Sequence, residues 1–73
     1  MTDTITLSPR EIQVITLIAM GRAEDQIALE LGLARSTVAR VKRNIRWKCE
    51  AYSMPQAVYV VTMAGLIEMT QKE

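Results

Sequence analysis

"LGLARSTVARVKRNIRWK", residues 31–48, decides the fold, because it leads from a glycine turn into a segment whose charges all have one sign. It holds six of the nine basic residues of the chain and no acidic residue: Arg35, Arg40, Lys42, Arg43, Arg46 and Lys48. Outside it, three basic residues stand against eight acidic ones. The net charge of +1 therefore conceals a strongly basic segment in an otherwise acidic chain.

The spacing of the apolar residues predicts a helix over about 35–49. At about 100° per residue, one stripe of this helix is apolar, formed by Val38, Val41, Ile45 and Cys49. The opposite side carries Ser36, Arg40, Arg43 and Trp47. The flanks carry Lys42 and Arg46 on one side and Asn44 and Lys48 on the other. We expect this helix to bury an aliphatic seam and to project a positive ridge away from it.

The residues before the basic helix predict two shorter helices. Ser8 fits an N-cap, Pro9 the first helical position, and Glu11 the third residue of a capping box. Gly21 is placed to end this first helix. Residues 1–7 are expected to form a loose arm.

The second helix is predicted over about 23–31, and Gly32 suits the sharp turn that follows it. Its start is poorly capped, because Ala23 stands where a serine or threonine is preferred. A second helix, a glycine turn and a basic third helix together describe a helix-turn-helix.

A fourth helix is predicted from about Met54 to Leu66, with Ser53 as its cap. It is apolar over most of its circumference, so most of it must be buried. We expect one face in the core and another in a homodimer seam formed by Tyr59, Val60, Met63 and Ile67. The methionines could instead provide an adaptable surface for another protein, and residues 68–73 are expected to be a short tail.

The composition of the 73 residues bounds the function. One small all-α domain over residues 8–67 is expected. With no histidine and one cysteine, neither an ordinary zinc site nor a histidine-activated nucleophile is available, so we expect no enzyme and no cofactor. The N-terminus lacks the pattern of a signal peptide, and the longest uncharged run is too short and too polar to span a membrane. These features favour a cytoplasmic protein.

The positive ridge has the chemistry to bind double-stranded DNA, since the major groove admits a helix. Arginine to guanine is the commonest specific contact, which makes Arg40 and Arg43 the main candidates for base recognition. The base-reading set is predicted to be Ser36, Ala39, Arg40 and Arg43, with Ala39 able to touch a thymine methyl group. The phosphate-binding set is predicted to be Arg35, Thr37, Lys42, Arg46 and Lys48.

The chain resembles the LuxR/GerE-type helix-turn-helix domain over about residues 7–67. The matching features are "LSPRE" at 7–11, Gly21, "IA" at 27–28, Leu31, Gly32, "STV" at 36–38, Ile45, Lys48 and "AV" at 57–58. The resemblance implies four helices, a third helix in the major groove, dimerisation through the fourth, and a role in regulating transcription. Many members carry a sensory or receiver domain before this one. The 73 residues leave no room for such a domain, so we expect this chain to be a freestanding member.

The sequence departs from the family pattern at four positions. Ala23 replaces a serine or threonine, Ala39 replaces a basic residue, and Val41 replaces a common histidine. Trp47 stands where a lysine or arginine is frequent, and it either contacts a partner or folds back against the fourth helix. These changes put the usual target sequence in doubt more than DNA binding.

Three alternatives stay open beside a DNA-binding homodimer. A protein-interaction module with the same fold would pair with another LuxR-type transcription regulator through the fourth helix and inhibit it. A piece similar to sigma-factor region four would bind promoters together with RNA polymerase. A solvated basic face without a partner is the third alternative. Such a face usually carries acid–base pairs along the helix, and here no acid lies between Glu30 and Glu50.

Overall fold

A computed structural model describes residues 5–67 of the chain, and within this range it contains four helices and no strand. The helices are α1 (Pro9–Ala19), α2 (Glu24–Leu31), α3 (Arg35–Cys49) and α4 (Met54–Met63). The predicted all-α fold is therefore confirmed. The bounds predicted for the basic helix agree with those of α3. None of the described helices is long and apolar enough to cross a membrane.

The capping box predicted for α1 is present. The Ser8 N–H donates to Glu11 Oε1 at 2.8 Å, and the Glu11 N–H donates to Ser8 Oγ at 3.1 Å. At the other end, Gly21 adopts a φ of +94°, which favours glycine. The Arg22 N–H then donates to the Leu17 carbonyl at 3.0 Å, so the end of α1 is satisfied by backbone groups alone.

The turn between α2 and α3 forms at Gly32, as predicted. Its φ of +69° is left-handed, and the Leu33 N–H donates to the Ala28 carbonyl at 2.9 Å. The Ala23 methyl group offers no acceptor to the start of α2. Gln26 compensates in part, because its side-chain oxygen accepts from the Ala23 N–H at 2.8 Å. Gly32 thus forms the turn of the helix-turn-helix, and Gln26 caps the start of its first helix.

Helix α3 is the centre of the packing, since α1, α2 and α4 all contact it. The core joins Val38, Ile45 and Cys49 of α3 to apolar residues of the other helices: Val14 and Ile15 of α1, Ile27 and Ala28 of α2, and Ala57 and Val61 of α4. Val41 is half-buried at the edge of this core. Because one stripe of α3 faces three helices, the opposite side is left to the solvent.

Helix α4 ends at Met63, three residues earlier than predicted. Gly65 takes a φ of +77°, and the Leu66 N–H donates to the Val61 carbonyl at 2.9 Å, which closes the helix. The chain then turns back, and Ile67 enters the core with 7% of its surface exposed. The prediction that Ile67 lies in a dimer seam needs correction, because its side chain is already used in the core of one chain.

The loose arm predicted for residues 1–7 also needs correction. Ile5 and Leu7 are half-buried and pack against the core, so they extend the domain before Ser8. An apolar residue just before the cap commonly packs back on the first helix in this way. The rest of the predicted arm, residues 1–4, and the predicted tail, residues 68–73, lie outside the described residues.

Glu50 caps the end of α3 directly after Cys49, and it is the one non-glycine residue with a positive φ (+53°) in the described range. The Ala51 N–H donates to the Arg46 carbonyl at 2.9 Å, so the backbone closes as it does at the glycines. For a residue with a Cβ, steric repulsion makes this left-handed conformation less favourable by about 1–2 kcal/mol.

We predict that Glu50→Gly raises the free energy of unfolding by roughly 0.5–1 kcal/mol, because it removes this steric cost while adding some unfolded-state entropy. Glu50→Gln is the matched control, since it removes the charge but keeps the Cβ. Urea unfolding followed by circular dichroism measures the difference. Equal stability of the two variants would contradict backbone strain at this position.

Candidate nucleic-acid interface

The outer surface of α3 brings together the four residues predicted to contact bases. Ser36, Ala39, Arg40 and Arg43 are all exposed, and none of them belongs to the buried stripe. Their positions repeat at intervals of three and four residues, which places them on one side of the helix. Ala39 precedes both arginines on this side and adds a small apolar contact next to them. The helix therefore presents two long donors, Arg40 and Arg43, with a small apolar side chain at their edge.

Some basic residues of α3 form ion pairs with acidic side chains, and others form none within residues 5–67. Within residues 5–67, Arg40, Arg43 and Arg46 make no ion pair with an acidic side chain. Arg40 and Arg43 are exposed, and Arg46 is half-buried on the flank. These three guanidinium groups keep all their hydrogen-bond donors available for a ligand.

Glu24, the first residue of α2, lies beside two of the predicted phosphate-binding residues. Its carboxylate is 3.5 Å from the Lys42 ammonium and 4.0 Å from the Arg35 guanidinium. Arg35 is mostly exposed, so this pair is weak, whereas Lys42 and Glu24 are both largely covered. Thr37, also predicted to bind phosphate, is half-buried one turn into α3. Glu24 thus offsets part of the positive charge where α2 meets α3.

Lys48 points to Glu11 of α1, which the sequence analysis did not anticipate. Its ammonium donates to Glu11 Oε1 at 2.9 Å, and the same oxygen accepts the capping hydrogen bond of Ser8. Glu11 is buried, with 7% of its surface exposed, so its charge requires a partner inside the protein. The capping box located Glu11, but no local pattern linked two residues that are 37 positions apart.

The environment of Glu11 favours its ionised form. Burial acts to raise the pKa of this carboxyl group, but the hydrogen bond and charge of Lys48 and the hydrogen bonds of Ser8 act to lower it. The net result is a pKa below the ordinary value of 4.5. Burial, together with the charge of Glu11, raises the pKa of the Cys49 thiol, so Cys49 stays a neutral core side chain.

Trp47 is exposed, which excludes the placement against the fourth helix, while a contact with a partner stays a prediction. Its side chain is 82% exposed and does not fold back on α4. A shallow cleft at the end of α3 is lined by Arg46, Trp47, Glu50, Ala51 and Tyr52. Tyr52 is 91% exposed, so two aromatic rings stand unburied at this corner.

The predicted seam residues of α4 differ in their exposure. Tyr59 and Met63, one helical turn apart, are exposed, whereas Val60 is half-buried. Ile67, after α4, is buried, so the exposed apolar surface at α4 consists of Tyr59 and Met63. A second groove lies between α1 and α2 and is lined mainly by Ile12, Leu17 and Leu31.

The family profile described as GerE, bacterial regulatory proteins of the luxR family, matches residues 5–61, more than half of the chain. The chain belongs to the LuxR family of bacterial regulatory proteins. The resemblance inferred from the sequence is thereby confirmed. As a LuxR-type helix-turn-helix domain, it is a DNA-binding domain of a family of transcription regulators rather than of enzymes.

One of two curated relatives is named as a transcriptional regulatory protein and the other as a nodulation protein. Transcriptional regulatory protein FixJ of Azorhizobium caulinodans is 37% identical over 60 residues, covering 82% of this chain and 28% of the relative. Nodulation protein W of Bradyrhizobium diazoefficiens is 38% identical over 61 residues, covering 84% of this chain and 27% of the relative. The LuxR-type chain therefore spans little more than a quarter of the length of these relatives, and its freestanding state stays a prediction.

We predict that Lys48→Met lowers the free energy of unfolding by about 1–3 kcal/mol at neutral pH, because it leaves a buried carboxylate without its partner. A carboxyl group whose pKa is lowered by folding stabilises the protein above its unfolded pKa, and this stabilisation is lost as the pH falls through the folded pKa. The gap between wild type and variant should therefore shrink below pH 4.5, the ordinary value.

Urea unfolding at a series of pH values checks this prediction. The control is the double variant Glu11→Gln, Lys48→Met, which removes both charges and should lack this part of the pH dependence. A gap between wild type and Lys48→Met that stays constant from neutral to acidic pH would show that the ion pair is not its origin.

Proposed function

We propose that this LuxR-type domain is a sequence-specific regulator that binds double-stranded DNA in the cytoplasm as a homodimer. The observation that carries the proposal is the pair Arg40 and Arg43, exposed on α3 and without an acidic partner within residues 5–67. A helix that kept these residues only for solubility would gain from acidic neighbours.

Base recognition rests on the outer surface of α3 in the major groove. Arg40 and Arg43 donate to guanine O6 and N7, and Ala39, at the edge of this pair, contacts a thymine methyl group. Ser36, one turn before Arg40, has a hydroxyl group that bonds to either class of base edge. The resemblance to the family implies a basic residue at the position of Ala39, so the preferred DNA site of this protein should differ there.

We rank the candidates for phosphate binding by their ion pairs within the protein: the weaker the pair with an acidic side chain, the stronger the candidate. Arg46 is the strongest candidate, since no acid within residues 5–67 pairs with it. Arg35 and Lys42 both pair with the Glu24 carboxylate, so binding a phosphate would weaken their ion pairs with Glu24. The hydroxyl group of Thr37 offers one further hydrogen bond to a phosphate. Lys48 is the weakest candidate, because leaving Glu11 would strand a buried charge.

The homodimer is proposed to form through α4, with Tyr59 and Met63 at its centre and Val60 at its edge. Both central residues are large, exposed and adjacent on the helix, which suits a two-fold seam. Ile67 supports this surface from the core rather than contacting the partner. Two copies of α3 would then meet two half-sites on one face of the DNA.

We predict that selection from a pool of random duplexes recovers a pseudo-palindrome with half-sites about one helical turn apart. Arg40→Ala should weaken binding to this site and relax the preference at one base pair of each half-site, each such base pair being worth about 1–3 kcal/mol. Arg46→Ala should weaken binding to all sequences by a similar factor.

Selection repeated with each variant separates the two roles, and Arg10→Ala on α1 serves as the control for loss of a single surface charge. A selected site without two-fold symmetry would contradict the homodimer. An unchanged base preference in Arg40→Ala would contradict the assignment of Arg40. Failure of the wild type to enrich any duplex would contradict sequence-specific binding altogether.

A further inference from the structure

Trp47 occupies a position on α3 that the proposed contacts leave unused. It follows Arg40 by seven residues and Arg43 by four. At about 3.6 residues per turn, seven residues are nearly two full turns, so Trp47 lies on the same side of the helix as Arg40 and about 10 Å further along it. Its indole is 82% exposed on that side.

The length of α3 carries Trp47 to the wall of the groove. The 15 residues of α3 extend over about 22 Å, whereas the major groove is about 12 Å wide. A straight helix with Arg40 and Arg43 at the groove floor cannot follow the curving groove over this length. Its C-terminal end therefore approaches the sugar–phosphate backbone, and the outer side of that end is the indole of Trp47.

The indole is uncharged, so its own contact with the DNA backbone is a neutral one. The same cleft is lined by Arg46, proposed above to bind a phosphate, and by Glu50, whose carboxylate disfavours a second phosphate oxygen close to the ring. The deoxyribose beside that phosphate is uncharged and offers an apolar surface to a flat aromatic ring. Covering the ring would also remove from water an apolar side chain that the fold leaves unburied.

We propose that Trp47 is a positioning residue for DNA, whose indole packs on a deoxyribose at the edge of the major groove and fixes how deeply α3 enters it. This inference rests on the proposed function, because it assumes that α3 lies in the groove. It differs from the phosphate contacts in its physics. An indole releases no counterion, so its contribution to affinity is independent of salt concentration.

The chain holds a single tryptophan, so its intrinsic fluorescence reports on this residue alone. The probe is the duplex recovered by selection, carrying a terminal dye whose anisotropy reports binding independently of the indole. Titration of this duplex should change the intensity and wavelength of the tryptophan emission in step with the anisotropy. Binding without any change in the emission would overturn the inference and leave the proposed function intact. Absence of binding would overturn both.

Two variants test the role of the ring. Trp47→Ala should weaken binding about tenfold, as expected for loss of one well-placed aromatic contact, with the same factor at low and at high salt. Trp47→Phe keeps an aromatic face and should restore most of the affinity. Circular dichroism and urea unfolding should show that both variants fold as the wild type does, because the side chain lies outside the core.

Unchanged affinity of Trp47→Ala would overturn the proposed contact. So would a loss of affinity that disappears at high salt, since that behaviour belongs to an ionic contact. Leu29→Ala on α2 is the matched control, because Leu29 is an equally exposed large apolar residue outside α3. The affinity of Leu29→Ala for the same duplex should equal that of the wild type. A tenfold loss in Leu29→Ala would show that the loss in Trp47→Ala is not specific to α3, which would overturn the inference.

Discussion

The burial of one stripe of α3 by the three other helices is the constraint on which the rest of this structure depends. Val38, Ile45 and Cys49 are covered by α1, α2 and α4, so the rotation of α3 about its own axis is fixed. Because that rotation is fixed, Arg40, Arg43 and Trp47 face the solvent. A helix with so little hydrophobic surface of its own obtains its orientation from tertiary packing rather than from helix propensity.

Two acids then sort the six cations of the basic segment. Glu11 holds Lys48 where α1 meets α3, and Glu24 holds Lys42 where α2 meets α3. Both acids lie at helix N-termini, where a negative charge is favoured by the helix dipole and, for Glu11, by the capping hydrogen bonds. The cations near the packed edges thus stabilise the fold, and those on the open side stay available for DNA. This division explains how a chain of net charge +1 can present a strongly basic surface.

Local patterns predicted the parts of the fold that local forces decide. The capping box at Ser8, the glycine turns at Gly21 and Gly32, and the buried stripe of α3 all follow from interactions within a few residues. The end of α4 was wrong because a helical pattern continues to Leu66, while Gly65 reverses the chain and Ile67 returns to the core. The Glu11–Lys48 pair was missed because its two residues are far apart in sequence, and only the folded chain shows which cations an acid already holds.

The salt dependence of DNA binding tests most directly whether this division of cations is real. Affinities of the wild type for the selected duplex should be compared over about 50–200 mM salt with two double variants. Arg40→Ala, Arg43→Ala should bind weakly, whereas Glu11→Gln, Lys48→Met, which removes a cation without changing the net charge, should keep the wild-type slope of log affinity against log salt. A slope whose magnitude falls by about 0.9 for each protomer of the homodimer in the Glu11→Gln, Lys48→Met variant would show that Lys48 binds phosphate and would contradict the account. Wild-type affinity in Arg40→Ala, Arg43→Ala would contradict its central claim.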